Sequence, residues 1–373
     1  MKPRLRLTMI LLLANLLSGC IVPVAQDLRS LTTVPTHLTT ETAVTKIETT
    51  PTADEFPADV NPLTGLQVKD PTVLNRRPMV VKISNAPVLV RPQAGIGAAD
   101  IVFEHYAEGG LTRFSAIFYS QAPDRVGSIR SARLIDTELM PMFGGLLIFS
   151  GASTGVETLL NNADYANRLF KGVLFGQPYF WRDETIDVPH NMFMNPNEVW
   201  KKATEEGINQ RPKLHGLSFD KMVPGNNKAV VNKIDIRYRA TRVIWKYDSA
   251  LGLYRRSADG QGHFDANTMQ QITAANVVVI FADHQFTDIL ESEFQNNKSY
   301  SIQINLMGQG DAMLFRDGQQ YNGRWVRDDK NSIIGLRTLN GAILPLKPGQ
   351  TWFQIVQLPG QQNPQEEWVK TEG

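Results

Sequence analysis

The chain has 373 residues, 42% of them hydrophobic, and its 38 basic and 37 acidic side chains leave a formal charge of +1. That length admits two domains with ordinary hydrophobic cores. The near-neutral balance removes the nonspecific electrostatic term that dominates nucleic-acid binding, so nucleic acid is not an expected partner.

Lys2, Arg4 and Arg6 form a basic start, and Leu7 to Leu17 form a largely apolar stretch too short to span a hydrocarbon core of about 30 Å. It runs into Leu17-Ser18-Gly19-Cys20, a bacterial lipobox. Residues 1–20 therefore read as a lipoprotein signal peptide, with Cys20 receiving a diacylglycerol and becoming the mature N-terminus. Two acyl chains at about 0.8 kcal/mol per buried methylene make a lasting anchor. The expected location is the extracytoplasmic face of the cell membrane. Cys20 is the only cysteine, so its acylation leaves no thiol for disulfides, zinc or iron-sulfur clusters. Residues 21–57 are rich in Thr, with Pro35, Pro51 and Pro57 interspersed, and read as a disordered tether spanning about 35 Å as a coil.

Residues 58–225 read as a mixed α/β domain. Met79 to Ile83, Asp100 to Tyr106 and Arg113 to Tyr119 are strand candidates, the last two joined through Gly109-Gly110 as an antiparallel hairpin. A helix is expected after Arg130 with Ser131 as its cap and Pro141 as its stop. Leu146 to Phe149 reads as a buried strand, and Thr154 to Ala163 as a short helix. Asn195, Pro196 and Glu198 mark the start of a better-capped helix that runs to about Gly207. Residues 228–373 switch to short strands divided by turns such as Asp317-Gly318 and Asn322-Gly323, the pattern of a smaller, mainly antiparallel β domain. The expected fold class is α+β. Trp245, Tyr247, Trp325 and Trp352 read as core, with a sugar-binding face as the alternative.

The densest polar constellation is Glu104, Glu108, Arg113, Asp124, Arg125, Arg130, Arg133 and Asp136. Arginines beside helix N-terminal amides after Ser131 suit a phosphate or carboxylate, which makes Arg113, Arg125, Arg130, Ser131 and Arg133 candidate anion ligands. The same acids and arginines match in number, so an internal ion-pair network is the competing reading. Glu104 and Glu108 could act as paired carboxylates on a glycan. His190 and Asn191 stand in a loop ahead of the capped helix, and His190 is the best acid-base candidate. Ser153 lies in Gly151-Ala152-Ser153-Thr154-Gly155, which satisfies GxSxG between a strand and a helix, so it is a conditional nucleophile. No metal-ligand spacing, P-loop or dinucleotide fingerprint occurs, and no metal or cofactor is expected.

NPLTG at 61–65, AEGGLTRF at 107–114, VGSIRSAR at 126–133 with Asp136, and PHNMF at 189–193 together resemble the YerB-type lipoproteins, a bacterial envelope family of unknown function. NVVV at 276–279, GRW at 323–325 and PGQTWFQIV at 348–356 extend the resemblance to the C-terminal half. It implies two domains and an envelope location, and Ser128 departs from a proline expected there. A distant likeness of residue type links Arg113, Arg130, Arg133 and Asp136 to the LytR-CpsA-Psr phosphotransferases. The expected function is accessory and non-catalytic, holding an anionic envelope ligand such as a cell-wall glycan or lipid-linked precursor. The alternatives are an envelope phosphotransferase or glycan-processing enzyme using Asp136 or His190, a hydrolase using Ser153, and a protein-binding scaffold.

Overall fold

The computed structural model describes residues 56–223 and 228–373. The signal segment, Cys20, nearly all of the expected tether and the turn at 224–227 lie outside the described residues.

Strands β1 (Met79–Ser84), β2 (Ile101–Tyr106) and β3 (Thr112–Phe118) are buried along their whole length. Such continuous burial needs cover on both faces of the sheet. Both β1 and β2 pair antiparallel with β3. The β2–β3 turn passes through Gly109 and Gly110 at φ 69° and 74°, a left-handed backbone that glycine adopts without strain. After β4 (Val126–Gly127), strands β5 (Leu146–Phe149) and β6 (Leu169–Lys171) extend the sheet, β5 lying parallel to both β1 and β6. A separate small antiparallel sheet joins β4, β7 (Phe180–Arg182) and β8 (Met192–Met194).

Strands from the second half complete the main sheet. Thr351–Gln357 lies beside β2 and parallel to it, and Asn276–Phe294 follows in parallel on its other side. Gly308–Arg316, Gln319–Arg327 and Gly335–Thr338 continue outward, giving a mixed sheet of twelve strands. A six-stranded antiparallel sheet, built on Lys233–Arg237, Arg242–Asp248 and Leu253–Ala258, includes Trp368–Glu372 near the C-terminus.

The strands alternate side chains between two hydrophobic clusters. Val80, Ile101, Phe103 and Ile117 belong to one; Val81, Val102, Phe114 and Ala116 belong to the other. Trp245 and Trp352 are fully buried, with rings 5.3 Å apart, and Trp325 is also buried. These three tryptophans are core.

The α+β expectation is corrected. Among the described residues strand accounts for 42% and helix, short 3-10 turns included, for 13%, with three α-helices, so the molecule is mainly β. The helices α1 (Asp136–Phe143), α2 (Thr154–Asn161) and α3 (Pro196–Glu205) are short. The β strands of the two halves share one sheet, and their long-range pairing leaves few residues for helices. The helix expected from Ser131 begins at Asp136, because the backbone of residues 130–132 is occupied with strand-end hydrogen bonds. Pro141 lies inside α1, and Gly144 in the left-handed conformation caps it. At α3, Asn195 Oδ1 accepts the Asn197 N–H at 2.9 Å, as the capping pattern predicts.

Candidate functional site

Because β1 and β2 both oppose β3, they run in the same direction, as do β5, β6, Thr351–Gln357 and the start of Asn276–Phe294. Six strands thus present their carboxyl ends along one edge of the main sheet. In open sheets with parallel strands, ligands collect outside those ends.

The segment Arg130–Arg133 crosses this edge. Arg130 N–H donates to Lys82 O at 2.9 Å, Ser150 N–H to Arg130 O at 3.0 Å, and Ala132 N–H to Gly151 O at 2.9 Å. Arg133 then forks onto Glu108, with Nε 2.6 Å from Oε2 and a second bond to Oε1. Its remaining nitrogen, Nη1, donates to Ala132 O at 2.7 Å and stands 3.5 Å from Glu291 Oε2. Arg113 lies 3.6 Å from Glu108 Oε1 and donates to Ser131 O at 2.8 Å. Burial, and then the charge of Arg133, lower the Arg113 guanidinium to about 9. Burial would raise the Glu108 carboxyl, but the hydrogen bonds of Arg133 and the charges of both arginines hold it at about 2.

Period-two alternation places Lys82, Ser115 and His105 on the same face as Arg113. Lys82 Nζ is completely buried, 2.9 Å from Asp136 Oδ1, and reaches Ser115 and His105. Burial pushes its ammonium down to about 8 against the pull of Asp136. Asp136, also completely buried, accepts the Arg133 N–H at 2.7 Å and opens α1. The cluster therefore has four cations, Lys82, Arg113, Arg130 and Arg133, and three carboxylates, Glu108, Asp136 and Glu291. Four minus three leaves one positive charge, and of the four cations in this cluster Arg130 is the one that makes no ion pair with a described carboxylate.

Arg130 donates only a long bond, 3.4 Å, to Pro189 O, and its Nε is buried without a partner. His190 Nδ1 and Ser153 Oγ are likewise buried and unpartnered. Burial and the charge of Arg130 lower the His190 imidazole. Ser153 is the N-cap residue of α2, yet its hydroxyl makes no capping bond. No Ser153–His190 hydrogen bond of the nucleophile–base kind is made.

The other sequence candidates stand apart from this group. Arg125 pairs with Asp183 at 2.7 Å and covers the Phe193 ring at 3.8 Å. Asn191 is buried and accepts Arg182 at 2.7 Å. Ser131 contributes its carbonyl to Arg113 and caps no helix. Glu104 points to the opposite face, where it meets Arg256 at 2.7 Å, Asn85 at 3.0 Å and Thr112 at 2.9 Å. Lys82, His105, Glu291 and Arg256 were missed. A lone lysine alternating with valines in Met79–Ile83 was a readable signal for the first; Glu291 is brought in by distant strand pairing that no local pattern shows.

Glu108 carries a measurable share of stability. Its carboxyl is depressed in the folded state from 4.5 to about 2, so the contribution is present above pH 4.5 and is lost as pH falls toward 2. Glu108→Gln is expected to lower stability at pH 7 by about 3 kcal/mol. Urea midpoints of variant and wild type should converge as pH drops below 4.5.

Among the described residues there is no group of three or more His, Cys, Asp or Glu side chains placed to hold a metal, and no helix long and apolar enough to cross a membrane.

The chain matches the two-part models of a family of unknown function. The family model for the DUF3048 N-terminal domain covers residues 63–209, and that for the DUF3048 C-terminal domain covers 234–353. The chain belongs to this YerB-like family: it is 32% identical over 300 residues to "Putative lipoprotein YerB" of Bacillus subtilis (strain 168), across 79% of this chain and 85% of that one. It is also similar to the crystal structure of the YerB protein from Bacillus subtilis, with a TM-score of 0.69, 29% identity, and coverage of 83% of this chain and 99% of that chain.

Proposed function

We propose that the protein is a membrane-anchored extracytoplasmic lipoprotein that holds an anionic envelope ligand, with Arg130 as the residue that meets the anion. Its role is accessory and non-catalytic, and its ligand is a cell-wall glycan or lipid-linked precursor carrying phosphate or carboxylate. The lipobox ending at Cys20 and the lipoprotein relative support the anchor. The single observation behind the ligand is Arg130, the unmatched cation whose Nε is buried without a partner, next to the loop whose His190 Nδ1 is also buried and unpartnered. An exchangeable anion suits an arginine that lacks an internal carboxylate; Arg133, forked onto Glu108, and Arg113, paired with Glu108 and bonded to the Ser131 carbonyl, position the segment instead. The non-catalytic reading is supported by Asp136, which is fully buried against Lys82 and out of reach of a ligand.

The test is calorimetric titration of the full-length protein in detergent with a short-chain polyprenyl phosphate. Arg130→Ala should weaken binding about tenfold or more, while Arg125→Ala should leave it unchanged. Equal affinity in wild type and Arg130→Ala, or no binding by folded wild type, would refute the proposal.

A further inference from the structure

A second opening lies on the same edge, at the carboxyl ends of β2 and Thr351–Gln357 and beside Phe286 in the middle of Asn276–Phe294. It is a cavity of about 230 Å³. Arg239, Phe286, Lys298, Tyr300, Gln357 and Glu367 line it, and the Gly109-Gly110 turn forms one lip. We propose that this cavity is a saccharide-binding site for a short oligosaccharide that carries a carboxylate.

Four observations carry the assignment. Phe286 is 72% exposed and Tyr300 is 39% exposed. Both are on the paired strands Asn276–Phe294 and Asn297–Asn305, so two aromatic side chains are held in reach of solvent by sheet rather than by a loose loop. Aromatic faces held this way suit the C–H face of a pyranose, which is apolar in its middle and polar at its rim.

Gln357 supplies the second observation. The residue is only 8% exposed, and its Oε1 is buried with no hydrogen-bond partner although the side chain lines the cavity. A buried amide oxygen without a donor costs free energy unless something donates to it. A sugar hydroxyl or N-acetyl N–H is such a donor.

The third observation is a carboxylate already held in position. Glu367 is 3% exposed, accepts the Tyr106 hydroxyl at one oxygen and the Asn363 N–H at 2.9 Å at the other, and sits on the cavity wall as an acceptor for further hydroxyls. The fourth is charge. Arg239 reaches Glu366 and Glu367 only at 3.9 Å and 3.8 Å, and Lys298 stands exposed on the rim. Loosely engaged cations on a rim around aromatic faces favour an acidic sugar over a neutral one.

Gly110 is bound to this architecture by space as well as by its φ. A Cβ there would lie 2.9 Å from Arg239 Cδ. A larger residue would displace the arginine from the cavity rim.

The site uses different residues from Arg130, so either assignment can fail alone. The experiment titrates full-length protein in detergent with hyaluronan hexasaccharide, with a muramic-acid-containing disaccharide, and with neutral N-acetylglucosamine oligomers. At least one acidic sugar should bind, and neutral oligomers should bind about tenfold more weakly. Phe286→Ala and Lys298→Ala, both at exposed positions that leave the core intact, should each weaken the acidic sugar about tenfold, and Arg130→Ala should not. Gln357→Glu, which places an anion where the amide oxygen is, should also weaken it. No binding by wild type with a native circular dichroism spectrum overturns the site. Binding unaffected by Phe286→Ala and Lys298→Ala overturns its location, and equal binding of neutral oligomers overturns the acidic specificity.

Discussion

Arg256→Ala is expected to destabilise the protein by about 3–5 kcal/mol, because it strands a carboxylate inside the core. Arg256 and Glu104 are both 0% exposed and lie 2.7 Å apart. The guanidinium is enclosed by the rings of Phe114 at 5.3 Å, Trp352 at 5.1 Å and Trp245 at 5.9 Å. Glu104 keeps hydrogen bonds from Asn85 and Thr112, but a buried charge without its counterion must be protonated or hydrated. Urea denaturation at pH 7 measures the loss. The double variant Arg256→Met/Glu104→Leu removes both charges and should recover most of it. A loss below about 1 kcal/mol in Arg256→Ala, the scale of an exposed ion pair, would contradict this account of the pair.

Acid should unfold the protein from a pH well above the carboxylate range. His105, His263 and His284 are buried, and burial is the first cause that lowers each of them from 6.5: His105 and His263 well below it, and His284 to about 4. Neighbouring cations reinforce the effect at two of them, Lys82 at His105 and Arg256 at His263. At His284, Asp283 and Glu367 oppose burial without cancelling it. The folded state therefore binds fewer protons than the unfolded state below pH 6.5. Stability is complete above that pH and falls as pH drops through it, by about 1.4 kcal/mol per pH unit for each histidine and about 4 kcal/mol per pH unit for the three together. Thermal melts from pH 7 to pH 4.5 check this. Replacing His263 by Asn, or His105 by Gln, should remove about a third of the slope; an unchanged melting temperature between pH 6.5 and 5 would contradict the assignment.

Local patterns in the sequence were enough to place much of the first half. β1, β2 and β3 follow from β-branched and aromatic runs, their hairpin from Gly109-Gly110, and α3 from Asn195, Pro196 and Glu198. Local pattern also located the charged segment 104–136. The partners within it were not legible. Glu104 and Glu108 are four residues apart, yet an even number of residues along a strand and a turn sends one to Arg256 and the other to Arg133. Arg256 and Glu291 come from strands far along the chain, joined to this region only when the halves share a sheet. That same sharing corrects the fold class, since strands read as a separate β domain are neighbours of β2. Ser131 misled as a cap because its backbone is consumed at the strand ends, a long-range demand that capping rules cannot see.

The carboxyl-end edge gathers the unmatched Arg130 at one end and the aromatic-lined cavity at the other, with the Glu108–Arg133 fork between them. Under the proposed function this edge holds envelope material by its anionic group. The most direct measurement is the side-chain Nε–H resonance of Arg130 in 15N-arginine-labelled full-length protein, assigned with Arg130→Lys and followed while polyprenyl phosphate is added. The account predicts that the Arg130 resonance shifts and saturates with ligand, while that of Arg125, held on Asp183, stays in place. A resonance that does not move under conditions where the ligand binds would contradict it.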